Sequence, residues 1–201
     1  MSKFSTNALL IFIKNPKKGN VKTRLAATVG DDKALAVYRK LLDYTRNVAL
    51  EVPTDRQVWY SRFIPKEDAW SSDHFTAKLQ QGDSLGQRMK QAFSQAFEDG
   101  YEKAVIIGSD CGQLQPRHVE NAYAKLNDHD MVIGPSQDGG YYLLGMNRFL
   151  PVLFEDKPWS TDDVFDQTIE DCEANGFSYS ILEELNDVDT EDDWNQVKDQ
   201  F

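Results

Sequence analysis

Two short, uninterrupted apolar runs constrain the fold of this chain more than any other feature of its sequence. Ala8–Lys14 reads ALLIFIK and Lys103–Ile107 reads KAVII, and neither run alternates between apolar and polar residues. A strand with one face in solvent would alternate, so these runs predict strands that are buried on both faces. Such strands occur where helices cover both sides of a mostly parallel sheet.

Amphipathic helical patterns stand between the strand-like runs. Helices are predicted at Val21–Val29, from Asp31 to Pro53, at Leu85–Phe97 and Pro116–Leu126, from Ser160 or Thr161 to Asn175, and after Thr190. Further strands are predicted at Gln57–Tyr60, Thr76–Gln80, Met131–Ile133, Tyr141–Leu144 and Phe177–Leu182. Strands that alternate with helices indicate a single Rossmann-like α/β domain over residues 1–201, a three-layer sandwich with helices on both faces of the sheet. Met131–Ile133 and Tyr141–Leu144 are too close together for a helical crossover, so we expect a mixed sheet.

The charge of the chain is distributed unevenly. The formal net charge is −11, yet residues 151–201 hold 16 acidic and 2 basic residues, and the first 30 residues hold six bases and no acid. An acidic total argues against general nucleic-acid binding. No apolar run approaches the roughly 20 residues that span a bilayer, and the polar start is no signal peptide, so a cytoplasmic location is expected. Cys111 and Cys172 match neither a disulfide framework nor a zinc motif.

The basic residues at the start of the chain fall in the loop that follows the first strand. Lys14 opens this loop, and Lys22 and Arg24 stand where the next helix begins. A strand, a glycine-containing basic loop and a helix start together favour phosphate binding, although a solvated basic loop is the plain alternative. The loop is not a Walker A motif, because Val21 stands where that motif has glycine before its lysine.

Three aspartates are candidate metal ligands. Asp110 follows the KAVII strand, at the kind of strand end where open α/β sheets bind ligands, although a lone aspartate there is often a turn former or a helix cap. Asp187 and Asp189 are two residues apart, so in an extended segment both carboxylates share one face. Mg²⁺ prefers such hard oxygen ligands. The plain alternative for these late acids is the surface of a helix N-terminus.

Two glycine-containing turns have weaker signals. Asp138-Gly139-Gly140 could bring backbone close to a ligand while Asp138 orients a hydroxyl, or it could be an ordinary hairpin turn. Gly82-Asp83-Ser84 could contact a nucleotide base, or it could only cap the following helix. The three histidines, His74, His118 and His129, are scattered without ligand spacing and are interpreted as surface residues.

Six ordered segments together resemble one family. They are FIKNPKKGNVKTRLA, QGDSLGQRM, IGSDCGQL, GPSQDGGYYLLG, the Trp159-Ser160-Thr161 triplet and LNDVDTEDDW. They resemble a bacterial family with the nucleotide-diphospho-sugar transferase (GT-A) fold, DUF2064-like, whose members are often labelled glycosyltransferases. More remotely the chain is similar to phospholactate and molybdenum-cofactor guanylyltransferases.

The resemblance implies roles for matching positions. Lys14, Lys22 and Arg24 would hold nucleotide phosphates, Gly82, Asp83 and Ser84 would lie near the base, and Gly139 and Gly140 would face the acceptor or a phosphate. Asp110, Asp187 and Asp189 would hold Mg²⁺ or Mn²⁺. Gly112 departs from the family, which usually has proline there.

These features together predict a Mg²⁺-dependent transferase that uses a nucleotide-activated donor and a small-molecule acceptor. Lys22 and Arg24 would neutralise the donor phosphates, and Asp138 is the only candidate for a catalytic base. Glycosyl transfer and nucleotidyl transfer need the same cations, so both stay open. A nucleotide sensor without catalysis is the alternative from another class. The oligomeric state is open, and a homodimer is compatible with the sequence.

Overall fold

Strands and helices alternate along the chain, as the apolar runs predict. The computed structural model describes residues 5–157, 159 and 161–201. Within these residues the strands are β1 (Asn7–Ile13), β2 (Asp55–Tyr60), β3 (Thr76–Leu79), β4 (Lys103–Ile107), β5 (Met131–Pro135), β6 (Tyr141–Met146) and β7 (Tyr179–Ile181). The helices are α1 (Thr23–Val29), α2 (Asp31–Glu51), α3 (Leu85–Glu98), α4 (Pro116–Lys125), α5 (Val164–Asn175) and α6 (Glu191–Val197), with 3₁₀ turns at Pro151–Phe154 and Lys198–Gln200.

The described strands form one mixed sheet in the order β3-β2-β1-β4-β6-β5-β7. Its β6 strand is antiparallel to both of its neighbours, and the remaining pairs are parallel. Strand β2 lies on one side of β1 in the sheet, and the chain later returns so that β4 lies on the other side of β1. This reversal creates a crevice beyond the carboxyl ends of β1 and β4, where open α/β sheets bind their ligands.

Each face of the sheet has its own apolar core. Alternate β1 residues point to opposite faces, with Leu9 and Ile11 packed toward α2 and α4, and Leu10 toward α3 and α5. All three are fully buried. The two cores confirm the predicted three-layer arrangement of helix, sheet and helix.

A third apolar cluster ties the two ends of the chain together. Leu25 of α1 and Leu41 of α2 pack with Val188, Trp194 and Val197 near the carboxyl terminus. Burial of these side chains fixes the acidic carboxyl-terminal segment against α1 and α2, which follow the loop after β1. The contact therefore positions residues from opposite ends of the sequence at the crevice.

Three local predictions are wrong in detail. Helix α1 begins at Thr23 instead of Val21, because Lys22 has a left-handed backbone with φ 49° and ψ 49°. Helix α5 begins only at Val164, with Asp163 at the N-cap; of its two predicted caps, Ser160 lies outside the described residues and Thr161 precedes the cap position. His118 is 4% exposed and not a surface residue. Among the described helices none has the length and apolar character needed to cross a membrane.

Candidate active site

The loop after β1 leads directly into the crevice. Asn15 is buried, and its side chain accepts a hydrogen bond from the backbone N–H of Arg62 at 2.9 Å and donates one to the carbonyl of Phe63 at 2.9 Å. Gly19 turns the chain with φ 75°, a left-handed conformation that is easy for glycine. The loop is thereby fixed at its start and reversed in its middle, which brings Lys22 back to the strand ends.

Tyr38 of α2 links the ends of β1 and β4. Its hydroxyl accepts a hydrogen bond from the backbone N–H of Lys14 at 2.9 Å and lies 3.1 Å from the Lys14 carbonyl and 3.2 Å from the Ser109 hydroxyl. Tyr38 is 1% exposed, and this burial raises its pKa, so the hydroxyl stays protonated. The residue forms the rigid floor of the crevice.

Lys22 forms a bridge between two of the predicted metal ligands. Its Nζ lies 3.1 Å from Oδ1 of Asp189 and 3.2 Å from Oδ2 of Asp110. The Lys22 side chain is only 3% exposed, whereas Arg24, which contacts Oδ2 of Asp189 at 3.3 Å, is 73% exposed. A buried ammonium therefore lies between two carboxylates, and a guanidinium approaches one of them from the solvent side.

The acids that line this crevice come from two distant parts of the sequence. The backbone N–H of Val188 donates a hydrogen bond to the Asp110 carbonyl at 2.9 Å, and this bond holds the loop after β4 against the segment that precedes α6. Gly112 permits the approach, because a Cβ there would lie 3.0 Å from Cγ2 of Val197. Glycine at this position thus accommodates the packed carboxyl-terminal segment.

The protonation of the site reflects its excess of negative charge. The pKa of Asp187 is raised to about 7; burial is the largest cause, the charges of Asp110, Asp138 and Asp189 also raise it, and Lys22 lowers it. For Lys22, burial alone would lower the pKa, but the charges of Asp110, Asp189 and Asp187 together raise it. Lys22 is therefore fully charged, while Asp187 changes protonation near neutral pH.

Asp138 lies in the turn between β5 and β6. Its Oδ1 accepts hydrogen bonds from the Ser136 hydroxyl at 2.5 Å and from the backbone N–H of Gly140 at 3.1 Å. Gly139 has φ 78°, and a Cβ there would lie 2.0 Å from the Asp162 carbonyl oxygen. The glycine is thus required by close packing, while Gly140 is the one of the pair that lines the cleft.

Two connected cavities form the cleft. A cavity of about 180 Å³ is lined by Lys14, Val21, Lys22, Thr23, Arg24, Tyr38, Asp110 and Asp189. A cavity of about 370 Å³ shares four of these residues and is lined in addition by Leu85, Ser136, Asp138, Gly140, Tyr141, Trp159, Thr161, Asp162, Val164 and Asp187. The smaller cavity is rich in cations, and the larger one combines acids with an apolar wall.

Most of the predicted site residues meet in this cleft. The exceptions are Gly139 and the Gly82-Asp83-Ser84 turn, of which no residue lines either cavity. Ser84 instead caps α3 by accepting a hydrogen bond from the backbone N–H of Gln87 at 3.2 Å, and Gly82 lines a separate surface groove. The capping interpretation of this turn is the one that the contacts support.

Several cleft residues have no counterpart in the sequence prediction. Tyr38 has the spacing of a core residue in α2, so its polar function was hidden by an apolar pattern. The apolar wall is formed by Leu85, Tyr141 and Trp159. Of these three side chains, only Leu85, in the first turn of α3, is strongly exposed, at 47%. An exposed leucine beside a tryptophan is a signal that only the folded structure provides.

The carboxylates do not form a ready-made metal centre. Within the described residues, no group of three or more histidine, cysteine, aspartate or glutamate side chains is arranged to hold a metal ion. The oxygens of Asp110 and Asp189 nevertheless converge on a cation, namely the Lys22 ammonium. Hard oxygen donors directed at one positive charge fit the coordination chemistry of Mg²⁺ or Mn²⁺.

A comparison with known proteins identifies the family. The family model described as an uncharacterized protein conserved in bacteria (DUF2064) matches residues 43–161, which is more than half of the chain. No curated protein matches the chain. A solved structure from Desulfovibrio desulfuricans G20, named a "putative nucleotide-diphospho-sugar transferase", is 35% identical over 92% of this chain and 83% of that chain, with a TM-score of 0.87.

More distant structures share the fold alone. A CMP:2-keto-3-deoxy-manno-octonic acid synthetase complexed with CTP is 12% identical over 98% of both chains, with a TM-score of 0.63. A manganese complex from Mycobacterium tuberculosis H37Rv is 12% identical over 100% of both chains, with a TM-score of 0.57. These comparisons confirm the predicted fold, and the 35% identical structure, which is named a transferase, confirms the prediction that the chain is a transferase. The chain belongs to the DUF2064 family and has the fold of the nucleotide-diphospho-sugar transferases.

Proposed function

We propose that this chain is a divalent-metal-dependent transferase that acts on a nucleotide-activated donor, and in the first place on a nucleotide-diphospho-sugar. The observation that carries the proposal is the meeting of Lys22 and Arg24 with Asp110 and Asp189 beyond the carboxyl ends of β1 and β4. A charged diphosphate needs cations around it, and a bound metal ion needs carboxylates. Both kinds of group line the same cleft.

The basic side chains would bind the donor phosphates. Lys14 and Arg24 line both cavities, and no carboxylate of a described residue lies within ion-pair distance of the Lys14 ammonium. Arg24 is mostly exposed, so it can turn from Asp189 to a phosphate and form two parallel hydrogen bonds with it. The cations of the smaller cavity would thus neutralise the charge that grows on the leaving diphosphate.

The aspartates would hold the metal ion. Asp110, Asp187 and Asp189 all line the larger cavity, and they offer the oxygen ligands that Mg²⁺ prefers. A divalent ion bound there would supply charge neutralisation at the donor phosphates. One structure of the same fold contains manganese, which agrees with the proposal that a divalent ion, Mg²⁺ or Mn²⁺, binds at this site.

Asp138 would act on the acceptor. Its Oδ1 is held by Ser136 and Gly140, which fixes the carboxylate where it lines the larger cavity. In glycosyl transfer an acceptor hydroxyl attacks the anomeric carbon, its proton passes to Asp138, and the bond from that carbon to the diphosphate oxygen breaks. The apolar wall of Leu85, Tyr141 and Trp159 would contact the uncharged faces of the acceptor or the sugar.

Nucleotidyl transfer is the second candidate. Three cations, Lys14, Lys22 and Arg24, line the smaller cavity, and this number suits a nucleoside triphosphate as well as a diphosphate. In that reaction an acceptor phosphate attacks the α-phosphorus of the triphosphate, and pyrophosphate leaves. A nucleotide sensor would share the cations, but it would bind nucleotide with little need for metal and release no product.

A product screen tests the proposal and separates these reactions. The protein is incubated with nucleoside triphosphates or sugar nucleotides, with Mg²⁺ or Mn²⁺ and a panel of acceptors, and the released nucleoside diphosphate and pyrophosphate are quantified. Metal-dependent diphosphate release supports glycosyl transfer, and metal-dependent pyrophosphate release supports nucleotidyl transfer instead. Binding of nucleotide without turnover of any donor would contradict an enzymatic function and favour the sensor.

Two variants assign the groups. Arg24→Ala is expected to weaken nucleotide binding by about 1.5–3 kcal/mol, the range for a hydrogen bond to a charged group, in calorimetric titration. Lys18→Ala is the control, since Lys18 pairs with Asp32 and does not line the cleft. Asp189→Asn is expected to abolish the metal-dependent part of the thermal stabilisation by nucleotide. Unchanged stabilisation would remove Asp189 from the metal site.

A further inference from the structure

We propose that Lys22 is an internal cation that occupies the metal position in the metal-free protein and is displaced when the divalent ion binds. On this proposal the displaced ammonium becomes available to the donor phosphates, so metal binding precedes productive donor binding. The inference rests on the proposed metal dependence and adds a defined role for one residue and an order of binding.

The position of the Lys22 ammonium is the first argument. Its Nζ lies 3.1 Å from Asp189 and 3.2 Å from Asp110, and the side chain is 3% exposed. In this arrangement its hydrogen bonds are directed at carboxylates and not at the open cleft. A phosphate-binding role for Lys22, which its sequence position predicts, therefore requires the side chain to move.

The second argument is that the two cations cannot share the site. Mg²⁺ binds carboxylate oxygens at about 2.0–2.1 Å, so the oxygens that now lie just over 3 Å from Nζ would each have to close in by about 1 Å. A divalent ion in the same place would repel the buried ammonium.

The charge balance explains why a cation is held there without metal. Asp110, Asp187 and Asp189 surround Lys22, and Asp187 has no ion-pair partner within 4 Å among the described residues. Three carboxylates this close together repel one another, and partial burial removes some of their hydration, so they are unfavourable without a counter-charge. Lys22 thus stabilises these carboxylates, and a divalent ion would replace its charge with a larger one.

The backbone of Lys22 favours a change of conformation. Its φ of 49° and ψ of 49° lie in the left-handed region, which is unfavourable for a residue that has a side chain. The two ion pairs compensate for this strain while they exist. Once the carboxylates bind a metal ion, the ion pairs no longer hold the side chain, and relaxation of the backbone favours its departure. Lys22 already lines the cavity that Lys14 and Arg24 also line.

Metal affinity of matched variants is the first test. Mn²⁺ binding is measured by electron paramagnetic resonance and calorimetry on the wild-type protein, Lys22→Met and Lys157→Met. Lys157 is the control, because it is also a buried lysine paired with an aspartate, Asp171, but it does not line the cleft. Removal of the competing ammonium is expected to tighten Mn²⁺ binding at least about tenfold, which corresponds to about 1.4 kcal/mol. The control should bind as the wild type does.

Chemical labelling of the wild-type protein is the second test, and it needs no variant to fold. Lysines are modified with an amine-reactive reagent with and without Mn²⁺, and the rate at each position is read by peptide mass spectrometry. Lys22 is expected to react several-fold faster with Mn²⁺, whereas Lys157 and the exposed Lys18 should not change.

The outcomes separate this inference from the proposed function. If Mn²⁺ binds equally well to the wild type and Lys22→Met, and labelling of Lys22 does not rise, the displacement is refuted while metal dependence stands. If Lys22→Met weakens Mn²⁺ binding, Lys22 organises the ligands and the displacement is again refuted. If no protein binds Mn²⁺ or Mg²⁺, the metal-dependent function falls together with the inference.

Discussion

Replacement of Asp187 by asparagine is expected to stabilise the metal-free protein. Asp187 is half-buried beside Asp110 and Asp189, and burial together with these like charges raises its pKa from 3.8 to about 7. A carboxyl group whose pKa is higher in the folded state than in the unfolded state opposes folding when it is ionised. The asparagine amide occupies nearly the same space without the charge, so this opposition disappears.

The size of the effect follows from the pKa difference. Each pKa unit corresponds to 1.36 kcal/mol, so the ionised Asp187 opposes folding by about 4 kcal/mol above pH 7. The penalty is absent below pH 3.8, grows as pH rises, and reaches about 1.7 kcal/mol at pH 5. Because asparagine must itself lose water on burial, we expect a gain of about 2–4 kcal/mol at pH 8 and about 1 kcal/mol at pH 5. At about 2–4 °C per kcal/mol, the gain at pH 8 corresponds to a rise in Tm of roughly 4–16 °C.

Urea unfolding in the presence of a chelator measures this difference. The free energy of unfolding is compared for the wild-type protein, Asp187→Asn and Asp128→Asn at pH 5 and pH 8. Asp128 is exposed and does not line the cleft, so its replacement should have little effect at either pH. Equal or lower stability of Asp187→Asn at pH 8, or a gain that does not change with pH, would refute the electrostatic argument.

Two further predictions concern the support of the cleft. Tyr38→Phe removes the buried hydroxyl that accepts the 2.9 Å hydrogen bond from the backbone N–H of Lys14, so we expect a loss of about 1–3 kcal/mol in the free energy of unfolding, measured with urea; an unchanged value would mean that water replaces the hydroxyl. Gly139→Ala is expected to lower the Tm clearly more than Gly176→Ala, because both have positive φ but only a Cβ at 139 collides with backbone. Equal shifts in a thermal scan would show that the turn adjusts freely.

The fold could be predicted from the sequence because apolar patterns dominate it. Strand β4 spans the five residues of the KAVII run, and α2 begins at Asp31 as its acidic first turn indicates. The errors occur where distant contacts override local preference. Helix α1 starts late because Lys22 bends out of helical geometry toward Asp110 and Asp189, and His118 is buried because its Nε2 lies 2.5 Å from Glu183 across the fold.

The candidate site was predictable where topology alone determines position. Asp110 follows a strand at the switch point, and Asp187 and Asp189 both line the cleft, as their spacing of two residues predicts. The direct contact of Lys22 with these acids could not be predicted, because the partners are 88 and 167 residues apart in the sequence. The roles of these residues in binding remain predictions, and the Asp189 and Lys22 variants test two of them.

The uneven charge of the chain has a structural counterpart beyond the cleft. Outside the cleft, three lysine or arginine ion pairs of the described residues join acids of the carboxyl-terminal quarter to bases that precede it: Lys33 with Glu191, Lys90 with Glu155, and Arg117 with Glu183. Exposed pairs of this kind contribute at most about 1 kcal/mol each, so they do not explain the stability of the fold. They do favour the arrangement in which the acidic segment covers the basic part of the chain. Within the cleft, the same attraction pairs Asp189 with Lys22, and on the proposal above a divalent ion would take over that pairing.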